Sequence, residues 1–260
     1  MKPTRTLPIA HADGPLTDRY HQAALAIFDR EERERFLDSA GQPRDRTQVQ
    51  WELLYRHEPW LFARLIAGER LHPGILEWLP AHTDRALEIG AGTGRLTLEL
   101  APRCDRLTAV EPAAPLRQIL RERLVASGHS DVEVVRGFFD CLPLEAGDCD
   151  LVILCSAFAP GAMADPDRCL AAIESRCRRG GLVVSVWPND VAWWAAHGFA
   201  YVRFDGPMSV EFGTVDEALA LARIFYPHAT AAIAERNASA VDYEVLKINP
   251  PRDLCWKRLD

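Results

Sequence analysis

Short apolar runs alternate with helical patterns of apolar residues through the middle of the chain. Five runs, bounded by Gly, Pro or Asp, are too short for helices and are typical of buried strands: Arg85–Ile89, Arg106–Val110, Val132–Val135, Leu151–Cys155 and Leu182–Val186. Three segments between them carry apolar residues at spacings of three and four: Thr93–Leu100, Pro115–Val125 and Pro166–Cys177. Strict alternation of strand and helix predicts a parallel sheet with right-handed crossovers. The sequence therefore predicts a doubly wound α/β core over residues 84–188.

The residues before this core have a helical pattern. Apolar residues recur at helical intervals, and Pro59 and Pro73 divide the pattern into short helices. We predict an N-terminal helical cap over residues 21–83. Residues 1–20 hold three prolines and no apolar run of signal-peptide length, so we expect them to form a mobile leader.

The alternation of strand and helix ends after Val186. Residues 189–240 are predicted to form a lid insert, which holds many aromatic residues and two helical patterns: Val215–Tyr226 and Ala229–Asn237. Two further runs, joined by the turn sequence NPPRD, are predicted strands: Tyr243–Ile248 and Leu254–Leu259. Residues 241–260 would then close the sheet as an antiparallel β-hairpin.

The most informative motif is ALEIGAGTGR, residues 86–95, in which a predicted strand runs into three alternating glycines and then a helix. Alternating glycines let the backbone turn tightly and approach a ligand, where a Cβ atom would collide with it. The amides at the start of the helix would face that ligand. A dinucleotide fold requires GxGxxG, but the position five residues after Gly90 is Arg95. The motif also lacks the Lys-Ser/Thr ending of a P-loop, so NAD and a nucleoside triphosphate are both disfavoured.

The second predicted strand ends at Glu111, 21 residues after Gly90. A carboxylate at this position can accept hydrogen bonds from both hydroxyls of a ribose. It can equally start the helix that follows Pro112, because the helix dipole favours a negative charge at the N-terminus. The position alone leaves both interpretations open, and the glycine motif beside it favours the ribose.

From residue 85 to residue 188 the chain resembles the class I S-adenosylmethionine-dependent methyltransferases. ALEIGAGTGRLTLELA is similar to the family's glycine motif, and AVEPA is similar to its ribose-binding acid. VRGFFDCLPLEAGDCDLVILCSAF resembles the adenine segment with the fourth strand, and GGLVVSVWPN resembles the fifth strand. The predicted hairpin resembles the two antiparallel strands that complete the family's sheet. The resemblance implies a Rossmann-like fold, S-adenosylmethionine as cofactor and S-adenosylhomocysteine as product.

The resemblance also implies which residues bind the cofactor. Glu111 would hold the ribose hydroxyls, and the glycine loop would pass under the ribose and methionine parts. Many family members carry an acid directly after the glycine that corresponds to Gly137, whereas this chain has Phe138 there and Asp140 two positions later. Stacking on Phe138 or Phe139 could replace that contact, or both rings belong to the core. The predicted cofactor-binding residues are Tyr55, which lies outside the resemblance, and Glu88, Gly90, Ala91, Gly92, Gly94, Glu111, Pro112, Gly137, Phe138, Phe139, Cys155 and Ser156.

The acceptor side of the site is predicted from its chemistry. Methyl transfer from a sulfonium is an in-line displacement that needs alignment and a dry pocket more than strong acids or metals, so we expect no metal site. A hydroxyl or amine acceptor would still need a base. We predict that His228 is this base, because it follows Pro227 at a predicted helix start. Aromatic residues of the cap and the insert would roof the acceptor, and the predicted acceptor-binding residues are Trp193, His197, Tyr201 and Tyr226.

Composition and charge limit the binding partners and the cellular compartment that the sequence predicts. Lys and Arg number 30 against 37 Asp and Glu, a formal net charge of −7, which argues against a surface for nucleic acid. The seven cysteines form no CxxC pair, and several lie within apolar runs, as expected for buried thiols in a reducing cytoplasm. No apolar run approaches the length of about 18 residues that a membrane span requires. The oligomeric state stays open.

We therefore expect a methyltransferase that acts on a small, apolar or aromatic acceptor. One alternative is a non-catalytic or regulatory protein that binds S-adenosylmethionine, since the adenine acid is missing and no clear base stands out. Another is an NAD-dependent oxidoreductase, which the failed glycine spacing disfavours.

Overall fold

The computed structural model describes residues 19–260. The described residues form two compact units. The first comprises Arg70–Pro207 and Pro250–Asp260, and the second comprises residues 19–69 and Met208–Asn249. The leader predicted over residues 1–20 lies outside the described residues, apart from its last two.

The secondary structure follows the alternation in the first unit. The α-helices are α1 (Arg30–Phe36), α2 (Arg46–His57), α3 (Pro59–Ala67), α4 (Pro73–Trp78), α5 (Thr97–Leu100), α6 (Ala114–Ala126), α7 (Pro166–Glu174), α8 (Val191–Ala196), α9 (Val215–Phe225), α10 (Thr230–Arg236) and α11 (Tyr243–Leu246). The strands are β1 (Thr83–Ile89), β2 (Cys104–Val110), β3 (Glu133–Val135), β4 (Cys149–Cys155), β5 (Cys177–Val186), β6 (Ala200–Arg203), β7 (Ser209–Glu211), β8 (Ala240–Asp242) and β9 (Asp253–Arg258).

The first unit is built on a seven-stranded sheet in the order β3-β2-β1-β4-β5-β9-β6. Strands β1 to β5 are parallel, as the alternation predicted, while β9 runs antiparallel to β5 and to β6. The fold is therefore the predicted Rossmann-like α/β sheet with antiparallel strands at one end. The strand order reverses between β1 and β4, and sheets of this type bind ligands outside the carboxyl ends of the strands at that point.

The two antiparallel strands are not the predicted hairpin. The prediction of a strand over Tyr243–Ile248 is wrong, because Tyr243–Leu246 forms the short helix α11 and Lys247 ends it with a φ of 54°. The neighbour of β9 is instead β6, which precedes it by some fifty residues and pairs Tyr201 with Cys255. A short apolar run does not distinguish a buried strand from one turn of buried helix, so the long-range partner was not visible in the sequence.

The unit boundaries also differ from the predicted segments. Residues 70–83, predicted as part of the helical cap, belong to the first unit, where the His72 amide donates to the Pro251 carbonyl at 2.9 Å. Residues 189–207 of the predicted lid insert belong there as well, because β6 pairs with β9. The rest of the insert lies in the second unit with α1 to α3.

The second unit joins the N-terminal helices to α9, α10 and α11. The Trp51 and Phe225 rings stack at 5.7 Å, and Arg64 pairs with Glu217 at 2.8 Å. Strands β7 and β8 form a separate antiparallel pair in this unit. None of the helices within residues 19–260 has both the length and the apolar composition needed to cross a membrane.

Candidate functional site

The glycine motif forms a loop directly after β1. Gly90, Gly92 and Gly94 have φ angles of 74°, 58° and 94°, a region in which side chains other than glycine are strained. The amides of Gly90 and Ala91 both donate to the Val110 carbonyl, at 2.8 and 3.0 Å. The loop is therefore tied to the carboxyl end of β2, at the edge of the sheet where a ligand is expected.

Two of these glycines also pack closely against other parts of the protein. A Cβ on Gly90 would lie 2.4 Å from the Cβ of Ala157, and a Cβ on Gly94 would lie 2.6 Å from Cδ1 of Leu120. The Ala157 Cβ is fixed to the backbone and cannot move aside alone, whereas the end of the Leu120 side chain would have to shift. The structure thus explains Gly90 and Gly94 through contacts with the β4 end and α6, in addition to the approach of a ligand that the sequence suggested.

Glu111 lies at the end of β2 with its side chain buried (5% exposed). Its Oε2 accepts from the Gly92 amide at 3.0 Å, and its Oε1 accepts from the Ala113 amide at 2.8 Å. Ala113 is the N-cap residue of α6, so the carboxylate satisfies a helix-start amide and the glycine loop at once. Since a carboxylate can accept about four hydrogen bonds, this arrangement is compatible with ribose binding as well.

Glu88 lies one residue before the end of β1 and is almost fully buried (1% exposed). Burial raises its pKa to about 8, and the Glu111 carboxylate adds to that shift. The Thr97 hydroxyl and the Arg95 guanidinium act in the opposite direction and lower the pKa. The site thus contains two acids in different environments, one bound by backbone amides and one enclosed in the protein interior.

The predicted adenine segment forms a tight turn after β3. The Cys141 amide donates to the Phe138 carbonyl at 3.0 Å, and a Cβ on Gly137 would lie 2.8 Å from Cγ1 of Val110. This contact places the turn against the end of β2. The Phe139 ring packs edge-on against Phe158 at 5.2 Å, so its packing agrees with the core interpretation. Phe138 is half-buried beneath the Arg136 guanidinium, which lies 5.6 Å from the ring centre.

The ends of β4 and β5 carry two residues with an uncommon backbone conformation. Ser156 has a φ of 60° and Trp187 has a φ of 53°, and positive φ angles at residues other than glycine cluster at functional sites. The Arg95 guanidinium lies 4.9 Å from the Trp187 ring centre, and its Nη2 approaches Cys155 Sγ at 3.5 Å. Sequence reasoning missed Arg95 and Trp187 as site residues, although each directly follows a recognised motif element.

The structure places three predicted acceptor residues in the first unit. The Trp193 ring packs against Phe158 and lies 3.9 Å from the His197 ring. The nitrogens of His197 face the Trp193 carbonyl at 2.8 Å and the Asp167 carboxylate at 3.0 Å. Tyr201 donates from its hydroxyl to Asp253 at 3.0 Å, and burial together with this carboxylate raises its pKa.

The other predicted residues outside the core motifs lie in the second unit. Tyr55 packs against Phe62 at 4.7 Å. Tyr226 is fully buried, and its hydroxyl donates to Glu69 at 3.1 Å. Burial and this hydrogen bond are sufficient to explain a tyrosine at this position. His228 lies in the 3₁₀ turn Pro227–Ala229. The cofactor or acceptor roles of Tyr55, Tyr226 and His228 stay predictions.

One group of metal-ligand types occurs among the described residues, although the sequence predicted none. His82 Nε2 lies 3.5 Å from Asp84 and 3.6 Å from Asp105. These three side chains are exposed at the amino ends of β1 and β2, away from the glycine loop. Exposed acidic groups with this spacing are common without an ion, so we assign no metal to them.

The core of the first unit matches a known protein family. The family model described as "Methyltransferase domain" matches residues 86–181, which begin in β1 and end in β5. Residues 86–181 form a class I S-adenosylmethionine-dependent methyltransferase domain. The matched range includes the glycine loop, Glu111 and the adenine segment.

The methyltransferase domain has relatives that are named as methyltransferases. An uncharacterized methyltransferase of Mycobacterium tuberculosis is 31% identical over 116 residues, which cover 44% of this chain and 44% of the relative. The protein-L-isoaspartate O-methyltransferase of Alcanivorax borkumensis is 39% identical over 77 residues, which cover 30% of this chain and 31% of the relative. The chain thus spans less than half the length of these curated relatives.

Solved structures resemble the chain at lower identity. A SAM-dependent methyltransferase from Aquifex aeolicus has a TM-score of 0.46 and 16% identity, over 60% of this chain and 93% of that chain. The YcgJ protein from Bacillus subtilis has a TM-score of 0.44 and 14% identity, over 79% of this chain and 100% of that chain. At these TM-scores neither likeness bears on the function.

The cofactor of the methyltransferase domain is S-adenosylmethionine, and the first unit has features that fit it. The glycine loop after β1 lets a ligand approach the backbone closely. Glu111 presents a buried carboxylate beside this loop. Glu88 Oε2 is buried with no hydrogen-bond partner among residues 19–260, which suits a cationic group of a ligand.

Proposed function

We propose that the protein transfers the methyl group of S-adenosylmethionine to a small, apolar or aromatic acceptor. The observation that carries the proposal is the junction of β1 and β2, where the glycine loop with positive φ angles meets the Glu111 carboxylate at 3.0 Å from the Gly92 amide. Such a junction offers a close backbone approach and a hydrogen-bond acceptor for a ribose. The bound cofactor supplies an activated methyl group on its sulfonium.

The chain's own residues would bind, align and shield rather than react. Glu111 accepts from the ribose hydroxyls, and the glycine loop supports the methionine and ribose parts. Phe138 offers a half-buried ring face for the adenine, with Phe139 beside it. Ser156, at the end of β4, would lie beside the methionine part together with Cys155. In-line displacement gains most of its rate from such alignment and from exclusion of water.

The acceptor class rests on the aromatic residues that follow β5. Trp193 and Tyr201 belong to the first unit, and their rings would supply apolar walls for an acceptor. The net charge of −7 disfavours a polyanionic acceptor. For a hydroxyl or amine acceptor, His197 and His228 are the proposed candidates for contact and for a general base.

The direct test is turnover. The full chain would be incubated with S-adenosylmethionine and a panel of aromatic and aliphatic alcohols, amines and thiols, while S-adenosylhomocysteine release is measured. Calorimetry with S-adenosylhomocysteine and with NAD would run beside it. Binding of S-adenosylhomocysteine with acceptor-dependent release supports the proposal. Binding without release for the whole panel would favour a protein that only binds the cofactor, and binding of NAD alone would overturn the cofactor itself.

Removing the aromatic walls is expected to affect the acceptor and spare the cofactor. We expect Trp193→Ala and Tyr201→Ala each to lower kcat/KM for an acceptor identified in that panel about tenfold or more, since each loses an apolar wall of the acceptor site. The Kd for S-adenosylhomocysteine should stay within about twofold. Trp78→Ala is the matched control, because it removes a half-buried tryptophan that packs on Trp256 in the same unit. An equal loss in all three variants would indicate general destabilisation.

A further inference from the structure

Two acids lie at the carboxyl ends of neighbouring strands, and their surroundings differ. Glu111 is buried but accepts two backbone hydrogen bonds, from Gly92 and Ala113. Glu88 is more deeply buried, and its Oε2 has no hydrogen-bond partner within the described part of the chain. Amide donors stabilise the ionised form of a carboxyl group, whereas enclosure without donors favours the neutral form. Deep burial with an unpartnered oxygen therefore favours the neutral form of Glu88, whereas Glu111 has backbone amide donors.

The neighbours of Glu88 act on its pKa in both directions, and burial is the largest cause. Burial is the main cause that raises its pKa to about 8, and the Glu111 carboxylate raises it further. The Arg95 guanidinium and the Thr97 hydroxyl lower it. On β2, the Cys104 thiol has its own pKa raised to about 11, by burial and partly by Glu88, so it stays neutral near pH 7.

The Arg95 guanidinium lowers the pKa of Glu88 by its charge but makes its own contacts elsewhere. It lies over the Trp187 ring at 4.9 Å, and its Nη2 contacts Cys155 Sγ at 3.5 Å, which holds it against the ends of β4 and β5. Glu88 Oε2 itself has no hydrogen-bond partner among the described residues. The methionine part of the cofactor brings one, because it carries an α-ammonium group.

We propose that Glu88 is a neutral carboxylic acid in the ligand-free protein and ionises when the α-ammonium group of the cofactor binds beside it. This inference rests on the proposed function, since it requires the cofactor to bind at the glycine loop. On binding, the carboxyl O–H bond of Glu88 breaks and its proton passes to the solvent buffer. The resulting carboxylate accepts a hydrogen bond from the ammonium group. Binding of the cofactor therefore releases a proton.

The affinity then depends on pH in a defined direction. Below pH 8 the ligand-free protein must give up a proton to bind, so the Kd should rise about tenfold for each pH unit below 8 and level off above it. At pH 7 a group with a pKa of about 8 is about nine-tenths protonated, so close to one proton should be released for each molecule bound.

Calorimetry of the full chain with S-adenosylhomocysteine measures this proton directly. The titration is run at pH 7 in phosphate and in Tris, whose ionisation enthalpies differ, and the difference in heat gives the number of protons exchanged. We expect about one proton released for S-adenosylhomocysteine and none for 5′-methylthioadenosine, which lacks the amino-acid part. Equal heats in the two buffers for S-adenosylhomocysteine would overturn the proposal.

The variant Glu88→Gln assigns the proton to this residue. It keeps the shape of the side chain and cannot ionise, so its binding should release no proton and its Kd should vary less than threefold between pH 6 and pH 8. Glu99→Gln, an exposed glutamate of α5, is the matched control and should behave like the natural protein. Proton release that persists in Glu88→Gln would assign it to another group and overturn the proposal.

Two binding results separate an error in the cofactor site from an error in the ionisation of Glu88. If neither S-adenosylhomocysteine nor 5′-methylthioadenosine binds, the cofactor site is wrong and both fall. If both bind and the heats do not depend on the buffer, the cofactor site stands and only the ionisation of Glu88 is wrong. The wild-type measurement alone decides this point, even if Glu88→Gln fails to fold.

Discussion

We expect Gly92→Val to raise the Kd for S-adenosylhomocysteine about 100-fold or more, which abolishes binding at ordinary concentrations. Gly92 has a φ of 58°, and its amide donates to the Glu111 carboxylate at 3.0 Å. A β-branched side chain is strongly strained in this backbone region. It would also project from the loop that supports the ligand and displace the amide from Glu111. The measurement is calorimetry of the folded variant.

The control for this variant separates backbone strain from the loss of a site. Gly147 has a φ of 72°, and a Cβ placed on it meets no atom within 4 Å. Gly147→Val therefore carries a similar strain in open space, and we expect it to lower stability while leaving the Kd unchanged. Binding by Gly92→Val at the affinity of the natural protein would remove the glycine loop from the cofactor site.

The parallel sheet was predictable because its strands are buried and contain nearly continuous apolar runs. The five predicted runs became β1 to β5, with ends that moved by a few residues. The sixth strand, β6, is the short segment AYVR, which has no apolar run to mark it. Its pairing with β9 joins residues some fifty positions apart, and the hydrophobic pattern of neither segment specifies that partner.

The sequence could not decide whether Glu111 starts a helix or binds a ribose, because one carboxylate can do both. One carboxylate contacts both the helix-start amide of Ala113 and the loop amide of Gly92. The packing reasons for Gly90 and Gly94 were equally hidden, since Ala157 and Leu120 are distant along the chain. Residue type and spacing located the site, whereas the contacts that hold it together depend on the tertiary fold.

Arg95 and Trp187 show what a motif search leaves out. Each directly follows a motif that was recognised, the glycine triplet and the fifth strand, yet neither residue type belongs to a cofactor signature. Only the fold places the guanidinium over the indole, at the ends of β4 and β5. A cation stacked on an aromatic ring at this edge is a feature that the sequence pattern does not specify.

Replacing Glu111 by alanine is expected to weaken both the cofactor site and the fold. The loss of hydrogen bonds from the ribose hydroxyls to a charged acceptor should cost about 1.5–3 kcal/mol of binding free energy. The same substitution leaves the amides of Gly92 and Ala113 without their acceptor in a buried position. We therefore expect the free energy of unfolding to fall by about 1–3 kcal/mol as well.

Urea unfolding and calorimetry with S-adenosylhomocysteine measure the two losses separately. Glu122→Ala, an exposed glutamate of α6, is the matched control and should change neither quantity by more than about 0.5 kcal/mol. The double loss distinguishes the two interpretations of Glu111, because a carboxylate that only starts α6 would lower stability and leave the Kd unchanged. A carboxylate that only holds the ribose would weaken binding without any loss of stability, and the two amide contacts argue against that outcome.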